Sequence, residues 1–291
     1  MSRSLHPQYV PPDRMEVAPE RRNLRCKLQL DSNGLHSRAM PPVIETRSLS
    51  KSYGRLGAVR DLNLNVPEGS VFALLGASGA GKTTTLKVLL NMIAPSAGSA
   101  RVLGCNSRDI GPDTLTQIGY VSENQSMPAR LRVRDFFRYL RNCYPSWDDA
   151  LEREMRAELG LPAERRIGEL SHGMRLKMGL ACALPFRPRL LILDEPLSGL
   201  DALARDEIIA EFLRRAGEMT ILISSHELDE VERLATHVAF LHEGELLFQG
   251  EIGALRTHAR SQLEQYSASG MSLRDIFVVM VRAARSRATQ G

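Results

Sequence analysis

The sequence has few cysteines and no long apolar run, and each shortage excludes a class of protein. Its four cysteines, Cys26, Cys105, Cys143 and Cys182, lie far apart and form no C-x-x-C pair, which excludes the common zinc spacings. Such usage favours a reducing cytoplasm over a disulfide scaffold. No apolar run approaches the ~20 residues that a membrane-spanning helix needs, and the first residues lack the apolar region of a secretory signal. If the protein acts on a membrane, we expect another chain to supply the span.

The excess of positive charge is small and unevenly distributed. The 291 residues include 38 Lys and Arg against 34 Asp and Glu, a formal net charge of +4. Residues 1–40 alone carry seven basic and four acidic side chains, so the rest of the chain is almost neutral. A nucleic-acid-binding domain concentrates basic residues on one face, and we therefore predict no nucleic-acid partner. Residues 1–41 are rich in Pro, Arg and Ser, which predicts a disordered N-terminal extension.

A glycine-rich segment directly follows the apolar run Val71–Leu75. Its spacing, Gly-x-x-x-x-Gly-Lys-Thr, is that of a phosphate-binding P-loop. Glycines let the backbone curl so that successive N–H groups point at an anion, and the following helix adds the partial positive charge of its N-terminus. The alternative is a simple glycine turn with an exposed lysine, but the apolar strand before it and the helical residues after it favour a nucleotide site. The predicted nucleotide-binding residues are Gly76, Ala77, Ser78, Gly79, Ala80, Gly81, Lys82, Thr83 and Thr84.

Strand-like and helix-like segments alternate along most of the chain, which indicates an α/β fold with a parallel sheet. Residues 133–187 have helical periodicity that is broken at Pro145 and Pro162, which predicts a helical insertion. A further helix is predicted over Glu227–Ala235. The predicted strands are Val43–Arg47, Asp61–Val66, Val71–Leu75, Ser99–Leu103, Ile118–Val121, Leu190–Leu193, Thr220–Ser224, Val238–Leu241 and Glu245–Phe248.

Further motifs occur in a fixed order around the P-loop. Tyr53 precedes it, and four segments follow it: Leu170-Ser-His-Gly-Met174, Leu190-Leu-Ile-Leu-Asp-Glu-Pro196, Ser198-Gly-Leu-Asp201 and Ser224-Ser-His226. Over about residues 43–250 this set resembles the ATP-binding subunits of ABC transporters. The resemblance implies a P-loop NTPase fold, with a RecA-like core of mixed or parallel strands, N-terminal antiparallel strands and an inserted helical subdomain.

The resemblance also implies roles for three side chains beyond the P-loop. Asp194 would hold Mg²⁺ at the C-terminal edge of the sheet, where the Thr83 hydroxyl would also bind it. Glu195 would polarise the water that attacks the γ-phosphate. His226 would hydrogen-bond that phosphate. The alternatives are a solvated acidic turn for the two carboxylates and a structural role for the histidine.

The segment Leu170–Met174 takes the place of the family's signature, which is usually Leu-Ser-Gly-Gly-Gln. Ser171 and Gly173 match this pattern, whereas His172 and Met174 depart from it. Ser171 is predicted to cap a helix that runs through Met174–Ala183. The resemblance implies that this helix start binds the γ-phosphate of ATP held by an opposite subunit. The alternative is an ordinary capped helix.

Three other positions complete the candidate site. Tyr53 would stack on the adenine ring, although a tyrosine of the core is the alternative. Asp201 would lie at the seam between two subunits. The glutamine that normally follows Gly-Tyr-Val-x in the family is absent. Glu123 stands there and can offer Mg²⁺ an oxygen ligand, while Gln125, two residues further on, is a possible substitute.

Several details resemble exporter-type members of the family. They are Glu123, the His-Gly-Met variant of the signature, Tyr144-Pro-Ser-Trp147 and Leu273-Arg-Asp-Ile-Phe277. Packing is the predicted role of Trp147 itself. An apolar group is predicted either to line a groove for a helix of a membrane subunit or to form a plain core face: Met127, Leu131, Phe136, Phe137 and Tyr139.

One P-loop and one signature in the chain imply that two ATPase subunits meet head to tail. The expected partners are a second copy or a homologous ATPase subunit, and a transmembrane permease subunit on whose cytoplasmic side the chain would lie as a peripheral protein. ATP and Mg²⁺ are the expected cofactors. Residues 42–255 would form the ATP-binding domain, with the helical subdomain at about 126–187, and residues 256–291 a helical tail. The alternatives are a soluble ATPase of the superfamily that regulates or assembles other proteins, and the ATPase of an importer.

Overall fold

The computed structural model describes residues 41–123, 125–215, 217–262 and 272–288. The prediction of an N-terminal disordered extension therefore falls, apart from Pro41, outside the described residues. Within those residues no helix combines the length and apolar character needed to cross a membrane.

The strands of the described residues form two sheets. The larger sheet has the order β11-β10-β4-β9-β8-β7, in which all pairs are parallel except β10 with β11. The smaller sheet is antiparallel, with the order β2-β1-β5-β6 and β3 paired to β1. The strands are β1 (Ile44–Tyr53), β2 (Leu56–Leu62), β3 (Asn65–Val66), β4 (Val71–Leu75), β5 (Ala97–Val102), β6 (Cys105–Asn106), β7 (Ile118–Ser122), β8 (Leu190–Asp194), β9 (Thr220–Ser225), β10 (His237–His242) and β11 (Glu245–Glu251).

The helices follow the predicted alternation with the strands. Those of the insertion lie between β7 and β8, and they avoid Pro145 and Pro162, as predicted. The helices are α1 (Lys82–Leu89), α2 (Pro112–Leu115), α3 (Val133–Arg141), α4 (Asp149–Glu158), α5 (His172–Ala183), α6 (Ala202–Arg215), α7 (Leu228–Val231), α8 (Ile252–Gln262) and α9 (Leu273–Ala288). The mixed α/β fold with N-terminal antiparallel strands is thus the predicted one.

Strands β4, β8 and β9 form the centre of the larger sheet because they are apolar on both faces. Every residue of these strands is buried, as expected for parallel strands covered on both sides. Successive residues point to opposite faces: Leu191 and Leu193 join the core shared with α3–α6, while Leu190 and Ile192 join the core shared with α1 and β1. The helical insertion and the sheet therefore share one apolar core.

The prediction of one continuous strand at Asp61–Val66 is wrong, because the structure has two strands there. β2 ends at Leu62 and β3 begins at Asn65, after Asp61 adopts a left-handed backbone with φ of 45°. The Thr46 hydroxyl bridges the break, since it donates to Leu62 O and accepts from Leu64 N at 2.7 Å each. The period-two burial nevertheless persists through Leu62, Leu64 and Val66, which is why the pattern resembled one strand.

The helix predicted at Glu227–Ala235 is shorter than expected, since α7 covers only Leu228–Val231. After Val231 the chain continues as turns, in which the N–H groups of Leu234 and Ala235 both bond the carbonyl of Val231. It must then reach β10, where Thr236 N donates to Val71 O. The need to enter the sheet ends the helix.

Trp147 has the predicted packing role, since its partly buried side chain packs against the apolar core of the helical insertion. Its ring meets Phe137 edge-on, and its indole N–H donates to the carboxylate of Glu152 at 3.0 Å. Glu152 is 2% exposed and also accepts hydrogen bonds from Arg141 and Arg156. Burial raises the pKa of Glu152, but the hydrogen bonds from Arg141, Trp147 and Arg156 outweigh it, so the pKa lies below its ordinary value.

We expect Glu152→Ala to destabilise the protein by about 3 kcal/mol, because it leaves the Arg156 guanidinium and the Trp147 N–H without their common acceptor. The measurement is urea unfolding at neutral pH. Since the pKa is lowered by folding, the stabilisation exists above the unfolded-state pKa and is lost as the pH falls through the folded-state pKa. The difference between wild type and variant should therefore shrink in acid.

Arg153→Gln is the matched control, because Arg153 lies on the same helix and is exposed. It should leave the free energy of unfolding almost unchanged. Equal stability of Glu152→Ala and Arg153→Gln at neutral pH would contradict the role of the buried network.

Candidate nucleotide-binding and catalytic site

The P-loop crosses from β4 into α1 at the carboxyl edge of the larger sheet. Ala77, Ser78 and Gly79 are exposed at its tip, whereas Ala80, Gly81 and Lys82 are buried. Gly81 caps α1 with φ of 102°, and a Cβ there would lie 2.4 Å from Ala58 O. The loop therefore requires glycine at this position both for its backbone angle and for its close approach to β2.

Lys82 lies at the centre of the site and is 5% exposed. Its ammonium group donates to Gly76 O at 2.7 Å and to Ala77 O at 3.2 Å, and it pairs with Glu195 Oε1 at 3.0 Å. A buried ammonium group needs such partners, because an unpaired charge away from water is costly. The structure thus brings the P-loop lysine and the predicted catalytic glutamate into direct contact.

Thr83, in the first turn of α1, faces the end of β8. Its hydroxyl donates to Asp194 Oδ1 at 3.0 Å. Asp194 is 5% exposed, and its backbone pairs with Ser224 of β9. The Thr83 hydroxyl and the Asp194 carboxylate are both hard oxygen donors, and such donors suit Mg²⁺. Thr84, the last predicted residue of the loop, follows Thr83 in α1 and is half-buried.

Glu195 directly follows β8 and reaches the residue that follows β9. Its Oε2 accepts a hydrogen bond from the backbone N–H of His226 at 3.2 Å and lies 2.7 Å from His226 Nδ1. An ionised carboxylate can only accept, so Nδ1 carries the proton of this contact. The His226 ring is 45% exposed, and its Nε2 lies 4.0 Å from Glu227 Oε1. Lys82, Thr83, Asp194, Glu195 and His226 therefore form one cluster.

Ser171 caps α5 as predicted, since its hydroxyl accepts from Met174 N at 3.2 Å. Ser171, Gly173 and Asp201 line a common surface cavity of 340 Å³, whose described lining includes no P-loop residue. Asp201 also accepts a hydrogen bond from Ala204 N at 2.9 Å, at the start of α6. The signature and Asp201 thus form a second surface, apart from the cluster around Lys82.

Hydrogen bonds connect this second surface to the first. His172 Nε2 lies 3.2 Å from the carbonyl oxygen of Ser198. The Ser198 hydroxyl donates to Glu123 Oε1 at 3.1 Å, and Glu123 N donates to Asp194 O at 3.0 Å. His172, a departure from the usual signature, and Ser198 were not predicted to be linked, because nothing in their sequence positions shows that α5 and the segment after β8 meet.

Tyr53 lies near the turn between β1 and β2 and is 49% exposed, so it is not a tyrosine of the core. Lys51 Nζ lies 5.2 Å from its ring centroid. The hairpin approaches the P-loop through Ala58 of β2, which faces Gly81. The exposed aromatic ring of Tyr53 is compatible with stacking on a base.

The five apolar residues that were predicted to share a groove or a core face lie in different surroundings. Met127 and Phe136 line a groove of 270 Å³ with Tyr120, Gln125 and Tyr144 among other residues. Phe137 is 1% exposed and belongs to the core, whereas Leu131 and Tyr139 are exposed. The helix α3 begins only at Val133, and it turns Phe136 and Phe137 to different surroundings.

Comparison with known proteins agrees with these motifs. The sequence model of the ABC transporter family matches residues 59–198. The bacitracin transport ATP-binding protein BcrA of Bacillus licheniformis is 36% identical over 229 residues, which cover 77% of this chain and 75% of the relative. The Nod factor export ATP-binding protein I of Rhizobium leguminosarum bv. viciae is 36% identical over 222 residues, covering 74% of this chain and 71% of the relative.

A solved structure supports the same assignment. The ATP-binding subunit of an ABC transporter has a TM-score of 0.72 and 26% identity to this chain, and the match covers 82% of this chain and 99% of the solved chain. The chain therefore belongs to the ATP-binding subunits of ABC transporters, the ATPases that power transport.

Proposed function

We propose that the cluster around Lys82 binds the phosphates of ATP and hydrolyses the terminal one. Lys82 would reach the β- and γ-phosphates, and the N–H groups of residues 76–84 would surround them. Thr83 and Asp194 would hold Mg²⁺, which neutralises charge on the phosphate oxygens when bound. The observation that carries this proposal is the convergence of Lys82, Thr83, Asp194, Glu195 and His226 at one edge of the sheet.

Glu195 and His226 would act on the γ-phosphate side of the site. The Glu195 carboxylate would accept a hydrogen bond from the attacking water and so orient it. His226 would hydrogen-bond the γ-phosphate while its Nδ1–H holds Glu195 Oε2. Tyr53 would stack on the adenine. For the remaining contact to Mg²⁺ we favour Glu123 over Gln125, because Glu123 adjoins Asp194 whereas Gln125 lines the groove beside the helical insertion.

The signature surface would serve a second subunit. Ser171 and Gly173 lie at the start of a twelve-residue helix, where N–H groups without intrahelical partners favour an anion. Because their cavity contains none of the described P-loop residues, the γ-phosphate that they contact would belong to ATP on the opposite protomer, with Asp201 at the seam. Two protomers would therefore close head to tail around two ATP molecules, and hydrolysis would release them.

Opening and closing of this dimer would drive a separate transmembrane permease subunit, with the chain bound peripherally at the inner face of the cytoplasmic membrane. The groove between Met127 and Phe136 would receive a segment of that subunit. We propose export as the direction of transport, supported by the likeness to an ATP-binding protein of Nod factor export. The division into an ATP-binding domain at 42–255 and a C-terminal helical tail remains a prediction.

Glu195→Gln should lower the kcat for ATP hydrolysis by about 10²–10⁴-fold, because the amide cannot accept a proton from the attacking water. ATP binding should persist, and size-exclusion chromatography with ATP should give a dimer. Glu251→Gln is the charge-matched control, since Glu251 is 73% exposed at the end of β11. Near-normal turnover of Glu195→Gln, or a strictly monomeric protein at saturating ATP, would count against the proposal.

Complementation tests whether the two surfaces meet in trans. Lys82→Ala and Ser171→Arg should each be inactive alone, but their mixture should regain activity, because one of the two composite sites then has an intact Lys82 and an intact Ser171. A mixture of Lys82→Ala with Glu195→Gln is the control. Lys82 and Glu195 both belong to the P-loop side of a composite site. In the mixed dimer each of the two sites therefore has one defect, and the mixture should stay inactive. Failure of the first mixture to recover, with both variants folded, would indicate a site contained in one chain.

A further inference from the structure

Ser224 places a hydroxyl group in the centre of the sheet, where a core side chain is expected. It follows Ile221, Leu222 and Ile223 in β9, and like them it is 0% exposed. A buried hydroxyl costs free energy unless it is hydrogen-bonded. The Ser224 hydroxyl both donates and accepts a hydrogen bond within the candidate site. Its Oγ donates to Asp194 Oδ1 at 2.6 Å and accepts from Glu195 N at 3.0 Å.

The direction of these two bonds follows from their partners. The ionised Asp194 carboxylate can only accept, so the single hydroxyl proton of Ser224 points at Oδ1 and a lone pair faces the N–H of Glu195. Thr83 donates to the same Oδ1 from α1. Ser224 therefore holds the Asp194 carboxylate from β9, independently of the P-loop.

The second bond acts on the backbone of Glu195. This residue has φ of 54°, a left-handed conformation that residues with a side chain adopt only when their surroundings hold it. Its N–H lies 3.0 Å from Ser224 Oγ and 3.2 Å from Ser224 O. The same peptide directs the Glu195 carboxylate toward Lys82 at 3.0 Å and His226 at 2.7 Å.

We propose that Ser224 is a positioning residue that orients both carboxylates of the site, Asp194 for Mg²⁺ and Glu195 for the attacking water. Its hydroxyl bonds Asp194 and the N–H of Glu195, so it would act through these two residues. Its role rests on the proposed function, because it requires that Asp194 holds the metal. Removal of a group that orients a metal ligand in this way typically lowers the affinity for the metal by about 10–100-fold.

The test uses the full chain and a fluorescent ATP analogue, whose binding is measured by anisotropy in EDTA and then during a Mg²⁺ titration. Ser224→Ala should bind the analogue in EDTA as the wild type does, but should need about 10–100-fold more Mg²⁺ for the Mg²⁺-dependent increase in affinity. In steady-state hydrolysis at saturating Mg²⁺, kcat should fall while the KM for ATP stays close to that of the wild type.

Two further variants separate hydrogen bonding from packing. Ser224→Cys keeps nearly the same shape but offers only a weak S–H donor, so it should behave like Ser224→Ala. Ser224→Thr keeps the hydroxyl and should restore most of the Mg²⁺ response. The matched control is Thr220→Val at the other end of β9, where a hydroxyl that is also buried accepts from Gly69 N at 2.9 Å. It should alter stability without altering the Mg²⁺ titration.

The outcomes distinguish this inference from the proposed function. Asp194→Asn should abolish the Mg²⁺-dependent increase in affinity. If it does so while folded Ser224→Ala and Ser224→Cys titrate as the wild type does, the role of Ser224 is wrong and the proposed metal site stands. If Asp194→Asn also has no effect, the proposed metal site itself fails. Equal weakening of binding by Ser224→Ala in EDTA and in Mg²⁺ would show a structural role only.

Discussion

The parallel pairing of β4, β9 and β8 is the constraint on which the rest of the site depends. In a parallel sheet the carboxyl ends of neighbouring strands meet at one edge. The P-loop at the end of β4 therefore lies beside the ends of β8 and β9. Asp194 and Glu195 lie at the end of β8, and Ser224 and His226 at the end of β9. The strands are fully buried, so apolar packing on both faces holds the edge in position.

The charges gathered at this edge satisfy one another. Lys82 and Asp194 are each 5% exposed, and such burial is tolerable only when charged groups have partners. Lys82 meets two carbonyl groups and Glu195, while Asp194 meets the hydroxyls of Thr83 and Ser224. The groups that we propose to act on ATP are therefore also the groups that keep this part of the fold electrostatically balanced.

Hydrogen bonds link the surface around Ser171 to the cluster around Lys82. From the start of α5 the hydrogen bonds run from His172 to Ser198, from Ser198 to Glu123 and from Glu123 to Asp194. A displacement of the signature relative to the sheet must stretch or break one of these contacts. His172, which departs from the family's usual signature, thus connects the surface around Ser171 to the cluster around Lys82.

Local patterns alone determined much of this protein. Continuous apolar runs identified β4, β8 and β9, glycine spacing identified the P-loop, and Ser171 was recognisable as a helix cap, because strand burial, turns and caps depend on neighbours in sequence. Only the tertiary structure decided that the strand pairing breaks between Leu62 and Asn65, that Phe137 is buried while Phe136 lines a groove, and that Ser224 contacts Asp194. Those outcomes depend on which strands and helices become neighbours in space, and no local period or spacing encodes that choice.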